Sequence, residues 1–197
     1  MDWNARYEAN DTPWDKGSPT PVLDEIYQRH PDVFVGMSIL VPGCGTGHDA
    51  RWLAAQGAHA TGVDISPLAI TKALALDQDG QATYEIADFL DSREPLLKEF
   101  DQIWEHTCFC ALDPSLRGSY VAAAYRSLKP RGTLIGVFFI DPEMDEGEMG
   151  PPFGIGVNEL KATFLIGGFQ LIEDWVPSTG YPGRLGRELV MILRRPM

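Results

Sequence analysis

Three groups of residues in this chain have the types and spacing to grip a nucleotide-like ligand. The first is Pro42-Gly43-Cys44-Gly45-Thr46-Gly47, a loop with glycine at every second position. Glycine takes positive φ and lets main chain pass close to a ligand, and the free N–H groups of a following helix lie beside it. The second is Asp64, which closes the apolar run 60–63 and can accept from both hydroxyls of a ribose. The third is Asp88-Phe89, a carboxylate able to accept from an adenine amino group beside a ring able to pack on the base. A dinucleotide fingerprint needs its third glycine where the helix opens, whereas here the glycines alternate and His48 comes next. A ligand-free glycine turn, or a strand-end turn at Asp88, would explain either feature alone. The combination of loop and two strand-end acids favours a ligand site.

The cysteines point elsewhere than to metal. Cys44, Cys108 and Cys110 cannot all pair, and Cys108 and Cys110 are too close in sequence for an ordinary bridge, so all three read as reduced thiols. Cys108, Cys110 and nearby His106 could suggest a metal, but structural zinc usually takes four ligands and no second cysteine pair exists. The acidic stretch 141–148 lacks the regular ligand spacing of a calcium loop and reads as a solvated lid.

Strands and helices must hold these groups. Ile39, Leu40 and Val41 form a buried-strand run ahead of the glycine loop, and 48–56 carries a helical pattern after it. Ser66 caps and Pro67 opens a helix whose apolar face is Leu68, Ile70, Ala73, Leu74 and Leu76. Residues 81–87 alternate as a strand, 100–105 form the next, 114–128 a helix, and 129–132 a turn into the strand 133–140. A helix over 157–166 stops at Gly167-Gly168, and the runs 169–176 and 188–193 suit a closing hairpin. At the other end, prolines and a glycine forbid one continuous helix before residue 21, and a first helix is expected over 22–29. Trp3, Tyr7 and Trp14 lie ahead of it, so the arm should fold back over something. The rhythm predicts an α/β fold: a doubly wound, Rossmann-like seven-stranded sheet, mainly parallel with a C-terminal antiparallel hairpin. Ligands bind such sheets beyond the carboxyl ends of the strands.

Length suits a single domain over 1–197. A net charge of −12 would repel a phosphate backbone or an anionic membrane over most of the surface, so neither nucleic acid nor membrane is an expected partner. No apolar run is long enough to span a bilayer, and Met1-Asp2-Trp3-Asn4 lacks the features of a secretion signal, so a cytoplasmic protein is expected, as a monomer or weak homodimer.

The chain resembles class I S-adenosylmethionine-dependent methyltransferases, and within them the thiopurine methyltransferase-like branch that includes plant halide and thiol methyltransferases. The resemblance rests on Thr12-Pro13-Trp14-Asp15-Lys16-Gly17-Ser18-Pro19-Thr20-Pro21, on Val41-Pro42-Gly43-Cys44-Gly45-Thr46-Gly47-His48-Asp49, on Gly62-Val63-Asp64-Ile65-Ser66, and on Phe109-Cys110-Ala111-Leu112 with Pro114. Pro151-Pro152-Phe153 and Gly186-Arg187-Glu188 are similar as well. It implies that Gly43, Gly45 and Gly47 lie against the methionyl part of S-adenosylmethionine, Asp64 and Ile65 at the ribose, and Asp88 with Phe89 at the adenine. It also implies that Trp3, Tyr7 and Trp14 close over the cofactor, with residues 1–35 as a lid. In the plant enzymes position 7 is often tryptophan and positions 106 and 153 often tyrosine, where this chain has Tyr7, His106 and Phe153.

A sulfonium methyl is already activated, so an enzyme need only align a nucleophile and exclude water. Phe109, Phe138, Phe139 and Phe153 are expected to form a small apolar pocket for a soft nucleophile: a thiol, sulfide, selenol or halide. His106 could contact the cofactor, deprotonate a thiol, or satisfy a backbone carbonyl. An O- or N-methyltransferase of small molecules, or a binding protein without catalysis, are the other readings of the same scaffold.

Overall fold

A computed structural model describes residues 1–91, 99–142, 144 and 150–197. Its strands are β1 (Ser38–Pro42), β2 (His59–Asp64), β3 (Thr83–Ile86), β4 (Phe100–His106), β5 (Leu128–Phe139), β6 (Gln170–Trp175) and β7 (Glu188–Arg194). The helices are α1 (Trp3–Glu8), α2 (Val22–Arg29), α3 (His48–Ala55), α4 (Pro67–Leu76), α5 (Arg117–Ser127) and α6 (Val157–Ile166). The strands form one sheet in the order β3-β2-β1-β4-β5-β7-β6. Neighbours from β3 to β5 run parallel, and β7 runs antiparallel to both β5 and β6. The expected seven-stranded, mainly parallel architecture with an antiparallel end is the observed one.

Alternation along the buried strands divides the core between the two faces. Leu40, Ile103, Leu134 and Leu193 face α5 and α6, where Tyr120 and Phe164 meet them. Ile39, Val41, Trp104 and Ile135 face α2 and α3 through Val22, Ile26, Ala50 and Leu53. Strand order reverses between β1 and β4, so their carboxyl ends part and leave a crevice, the place where open α/β sheets take ligands.

Three local expectations change. The aromatic arm contains a helix of its own, α1, capped by the Asp2 carboxylate on the Ala5 N–H. A six-residue helix carries too little periodicity to declare itself. Residues 129–132 are not a turn ahead of a strand: β5 already pairs at Leu128 with Phe100, shifts register, and resumes at Thr133 opposite Gln102. Arg131 takes φ +68° in that irregularity, its N–H donates to the Arg195 carbonyl and the Arg195 N–H to the Gly132 carbonyl, so the Pro-Arg-Gly signal marks a bulge. Finally, 114–128 begins as a 3₁₀ turn at Pro114–Leu116 before α5. Most of the acidic stretch 141–149, expected as a solvated lid, lies outside the described residues.

Candidate active site

The glycine loop leaves β1 with φ of +57°, +55° and +77° at Gly43, Gly45 and Gly47, conformations that side-chain-bearing residues rarely adopt. Space demands glycine too: a Cβ at Gly43 would lie 2.9 Å from Cys108 Sγ, and one at Gly47 2.6 Å from the Tyr84 ring. A Cβ at Gly45 would stand 3.0 Å from the Tyr7 hydroxyl. Asp64, at the end of β2 and 9% exposed, fastens the loop: Oδ2 accepts the Gly45 N–H at 2.9 Å and Oδ1 the Ser66 N–H at 2.8 Å. Burial raises its pKa above the ordinary carboxylate value, against the pull of those N–H donors. Each oxygen keeps acceptor capacity for a ligand hydroxyl.

The N-terminal arm lies across this loop. Asn4 Oδ1 accepts from Ser66 Oγ at 2.9 Å and from the Leu68 N–H at 3.1 Å, which pins α1 to the start of α4. Trp14 Nε1 donates to the Tyr7 hydroxyl at 3.3 Å, and Trp3 meets Trp14 edge-on with ring centres 5.3 Å apart. Below them Asp15 latches arm to loop, accepting from Thr46 Oγ1 at 2.8 Å and facing His48 Nε2 at 3.1 Å. Arg51 donates to His48 Nδ1 at 3.0 Å, so Nε2 carries the proton that Asp15 receives. Burial works to raise the Asp15 pKa, but the Gly17 N–H, Thr46 hydroxyl and His48 outweigh it and hold it below the usual value.

On the far side stands His106, the last residue of β4. Its Nδ1 is 3.0 Å from Asp49 Oδ2, and its ring stacks on Tyr181 with centres 5.8 Å apart. Tyr181 is held by its hydroxyl, which donates to the Ser18 carbonyl at 2.5 Å. Asp49 also accepts the Trp104 Nε1–H at 2.9 Å and the Thr20 N–H at 2.9 Å. Burial would raise its carboxyl, yet His106 and these donors hold it below the ordinary range. The next residue, Thr107, takes φ +68°, a strained conformation of the kind that collects at functional sites. Loop, arm and His106 surround a cleft open to solvent at its mouth.

Tyr7, Trp14, Gly43, Gly45 and His106 thus line one cleft, with Asp64 directly behind Gly45. Trp3 stands behind Trp14, and Gly47 caps α3 against Tyr84. Ile65 is 53% exposed beside Asp64. Asp88 is exposed at the end of β3, with Oδ1 accepting the Leu90 N–H at 2.9 Å, while Phe89 is buried edge-on to Tyr120 at 5.3 Å. None of Phe109, Phe138, Phe139 and Phe153 is among the residues lining this cleft. Phe109 and Phe138 belong to the core, 5.5 Å apart and packed with Phe164. Buried Glu105 ties down the 3₁₀ turn at Phe109–Ala111, its Oε1 taking the Phe109 N–H at 2.8 Å. Phe139 lies under the Arg184 guanidinium, and the Phe153 N–H donates to the Cys110 carbonyl at 2.7 Å. Cys44, Cys108 and Cys110 are free, and burial pushes each thiol up, Cys110 to about 12, so none supplies a thiolate nucleophile at neutral pH. Among the described residues no cluster of metal ligands occurs.

A doubly wound sheet with a glycine loop after β1 and an acid closing β2 defines a Rossmann-like fold. Solved structures share the architecture: the 1,6-didemethyltoxoflavin-N1-methyltransferase of Burkholderia thailandensis superposes with a TM-score of 0.73 at 19% identity, covering 100% of this chain and 86% of its own. The magnesium protoporphyrin IX methyltransferase of Synechocystis gives 0.69 at 18%, covering 88% and 78%. The family model for thiopurine S-methyltransferase (TPMT) matches residues 1–174. The probable thiol methyltransferase 2 of Arabidopsis thaliana is 34% identical over 174 residues, 87% of this chain and 74% of that protein. A thiopurine S-methyltransferase of Pseudomonas aeruginosa is 28% identical over 188 residues, 87% and 84%. The chain belongs to the thiopurine S-methyltransferase family, and its cofactor is S-adenosylmethionine.

The residues present fit that cofactor: the Gly45 cradle has no room for a side chain, and Asp64 keeps lone pairs for ribose hydroxyls. Local sequence rules do not single out Asp49 or Tyr181. Asp49 is signalled only by its place in the glycine-loop motif, two residues after Gly47. Tyr181 comes from an irregular loop with no periodicity to place it.

Proposed function

We propose that this enzyme transfers the methyl group of S-adenosylmethionine to a small soft nucleophile: a thiol, sulfide, selenol or halide. The observation that carries this reading is the aromatic enclosure of the cleft: Tyr7, Trp14 and Tyr181 line it beside the glycine loop, a wall that suits a soft nucleophile. Relatives named for thiol, thiocyanate and thiopurine methyl transfer support the same class.

Bound S-adenosylmethionine supplies an activated sulfonium methyl. Gly43, Gly45 and Gly47 provide the close backbone, Asp64 with Ile65 holds the ribose, and Asp88 with Phe89 the adenine. Trp3, Tyr7 and Trp14, in a lid formed by residues 1–35, shut out water and fix the approach of the acceptor. No described helix is long and apolar enough to cross a membrane, and the charge of −12 supports a cytoplasmic enzyme that meets neither nucleic acid nor membranes and works as a monomer or weak homodimer.

The test is headspace gas chromatography of the purified protein with S-adenosylmethionine and, in turn, sulfide, methanethiol, an aromatic thiol and iodide. Methylated sulfur products or methyl iodide are expected. Methylation of catechols or amines with no product from any of the four would overturn the reading in favour of a hydroxyl or amine acceptor.

A further inference from the structure

We propose that His106, oriented by Asp49, takes the proton from the methyl acceptor, so that the substrate is a proton-bearing sulfur nucleophile, an alkyl thiol or hydrogen sulfide, rather than a halide or thiocyanate anion. This rests on the soft-nucleophile reading above and narrows it. Asp49 receives three donors, the Thr20 N–H, the Trp104 Nε1–H and His106 Nδ1, and a carboxylate so surrounded is an acceptor only. His106 therefore donates through Nδ1, and its neutral ring keeps a lone pair on Nε2.

That lone pair is unused. The His106 side chain is only 7% exposed, its ring lines the cleft, and Nε2 is buried without a hydrogen-bond partner among the described residues. A histidine serving only the fold normally commits both nitrogens, because an unpartnered buried polar atom costs free energy. Stacking on Tyr181 fixes the ring plane, and the pull of Asp49 fixes its rotation. The walls also disfavour an anion. Asp15 and Asp49 line the cleft with Asp64 behind it, and the Lys16 ammonium is turned aside to the Pro13 carbonyl at 2.6 Å.

In the step, the S–H bond breaks and its proton passes to Nε2. The sulfur pair forms the new bond to the methyl carbon, while the carbon–sulfonium bond breaks with both electrons going to the departing sulfur. The products are S-adenosylhomocysteine and a methyl thioether from an alkyl thiol, or methanethiol from hydrogen sulfide. The imidazolium, balanced by Asp49, returns its proton to solvent. Asp49 acts through His106 and is a positioning residue.

The experiment compares kcat/KM at pH 7 for propanethiol, for an aromatic thiol already ionised at that pH, and for iodide, in the wild type and in His106→Gln. The wild type should prefer propanethiol to iodide by tenfold or more. The variant should lose on the order of 10²-fold on propanethiol, the usual share of general-base catalysis, and at most about threefold on the other two. Asp49→Asn, which favours the other tautomer, should reproduce the same acceptor-dependent loss. Equal losses on all three acceptors, or an undiminished propanethiol rate, would overturn the proposal. If His106→Gln fails to bind S-adenosylmethionine by calorimetry, the wild-type ranking decides: iodide ahead of propanethiol overturns it. A wild type inactive on all three acceptors refutes the soft-nucleophile reading itself, a result distinct from the others.

Discussion

Asp64 holds two backbone N–H groups and, in the proposed complex, a ribose. Those tasks come apart on substitution. Asp64→Asn keeps the size and one acceptor oxygen but removes the charge that makes the ribose bonds strong. Hydrogen bonds to a charged group contribute roughly 1.5–3 kcal/mol, so S-adenosylmethionine should bind about 10- to 100-fold more weakly by calorimetry. An unchanged Kd would show that the carboxylate serves only the loop. At this scale the sequence was legible where the partners are near in the chain or fixed by a strand end: the Gly43–Gly47 loop and Asp64 needed only local rules. It was opaque for the Asp49–His106 pair, 57 positions apart, because only the parallel placement of β1 beside β4 brings the loop helix next to the end of β4. Phe109 misled for the converse reason. Its hydrophobicity fits pocket or core equally, and buried Glu105 decides which.

Glu105 also governs an element, the turn between β4 and α5. Its carboxyl is 1% exposed and accepts from the Phe109 N–H and the Tyr120 hydroxyl. Burial pushes its pKa up to about 7 despite those donors. A carboxyl whose folded pKa exceeds its unfolded value binds its proton more tightly when folded. The native state is therefore favoured below the unfolded pKa, and that advantage is lost as pH rises through about 7. Glu105→Gln cannot ionise and can keep both hydrogen bonds. The difference in unfolding free energy between variant and wild type, read from denaturant melts, should then shift in favour of the variant between pH 5 and 8, by an amount on the order of 3 kcal/mol at most. A pH-independent difference would contradict this origin. The arm is the second element to test. Asp15→Ala removes the latch to Thr46 and His48, so amides of residues 3–17 should exchange faster and cofactor affinity should fall about tenfold. Unchanged exchange would mean that the α1–α4 contact alone holds the arm. The helix in that arm was hidden because its six residues are too few to show a period, whereas α4, with Ser66 and Pro67 at its start, was plain.

Across the whole molecule the fold was readable because strands and helices alternate with regular spacing, and a sheet buried on both faces leaves apolar runs that stand out. What composition adds is a field. With a net charge of −12 the surface repels anions at long range, and the repulsion weakens as salt shortens the Debye length, about 10 Å at 0.1 M. A preformed thiolate or an iodide must approach against that field, whereas a neutral thiol enters freely and loses its proton only inside, at His106. The kcat/KM for iodide should therefore rise about twofold or more between 20 and 200 mM of an inert salt, while that for propanethiol at pH 7 stays flat. If both rise together, salt is acting on the protein or cofactor instead. If neither changes, the bound cofactor's positive charge cancels the surface field at the cleft mouth, and the acidic surface has no part in selecting the acceptor.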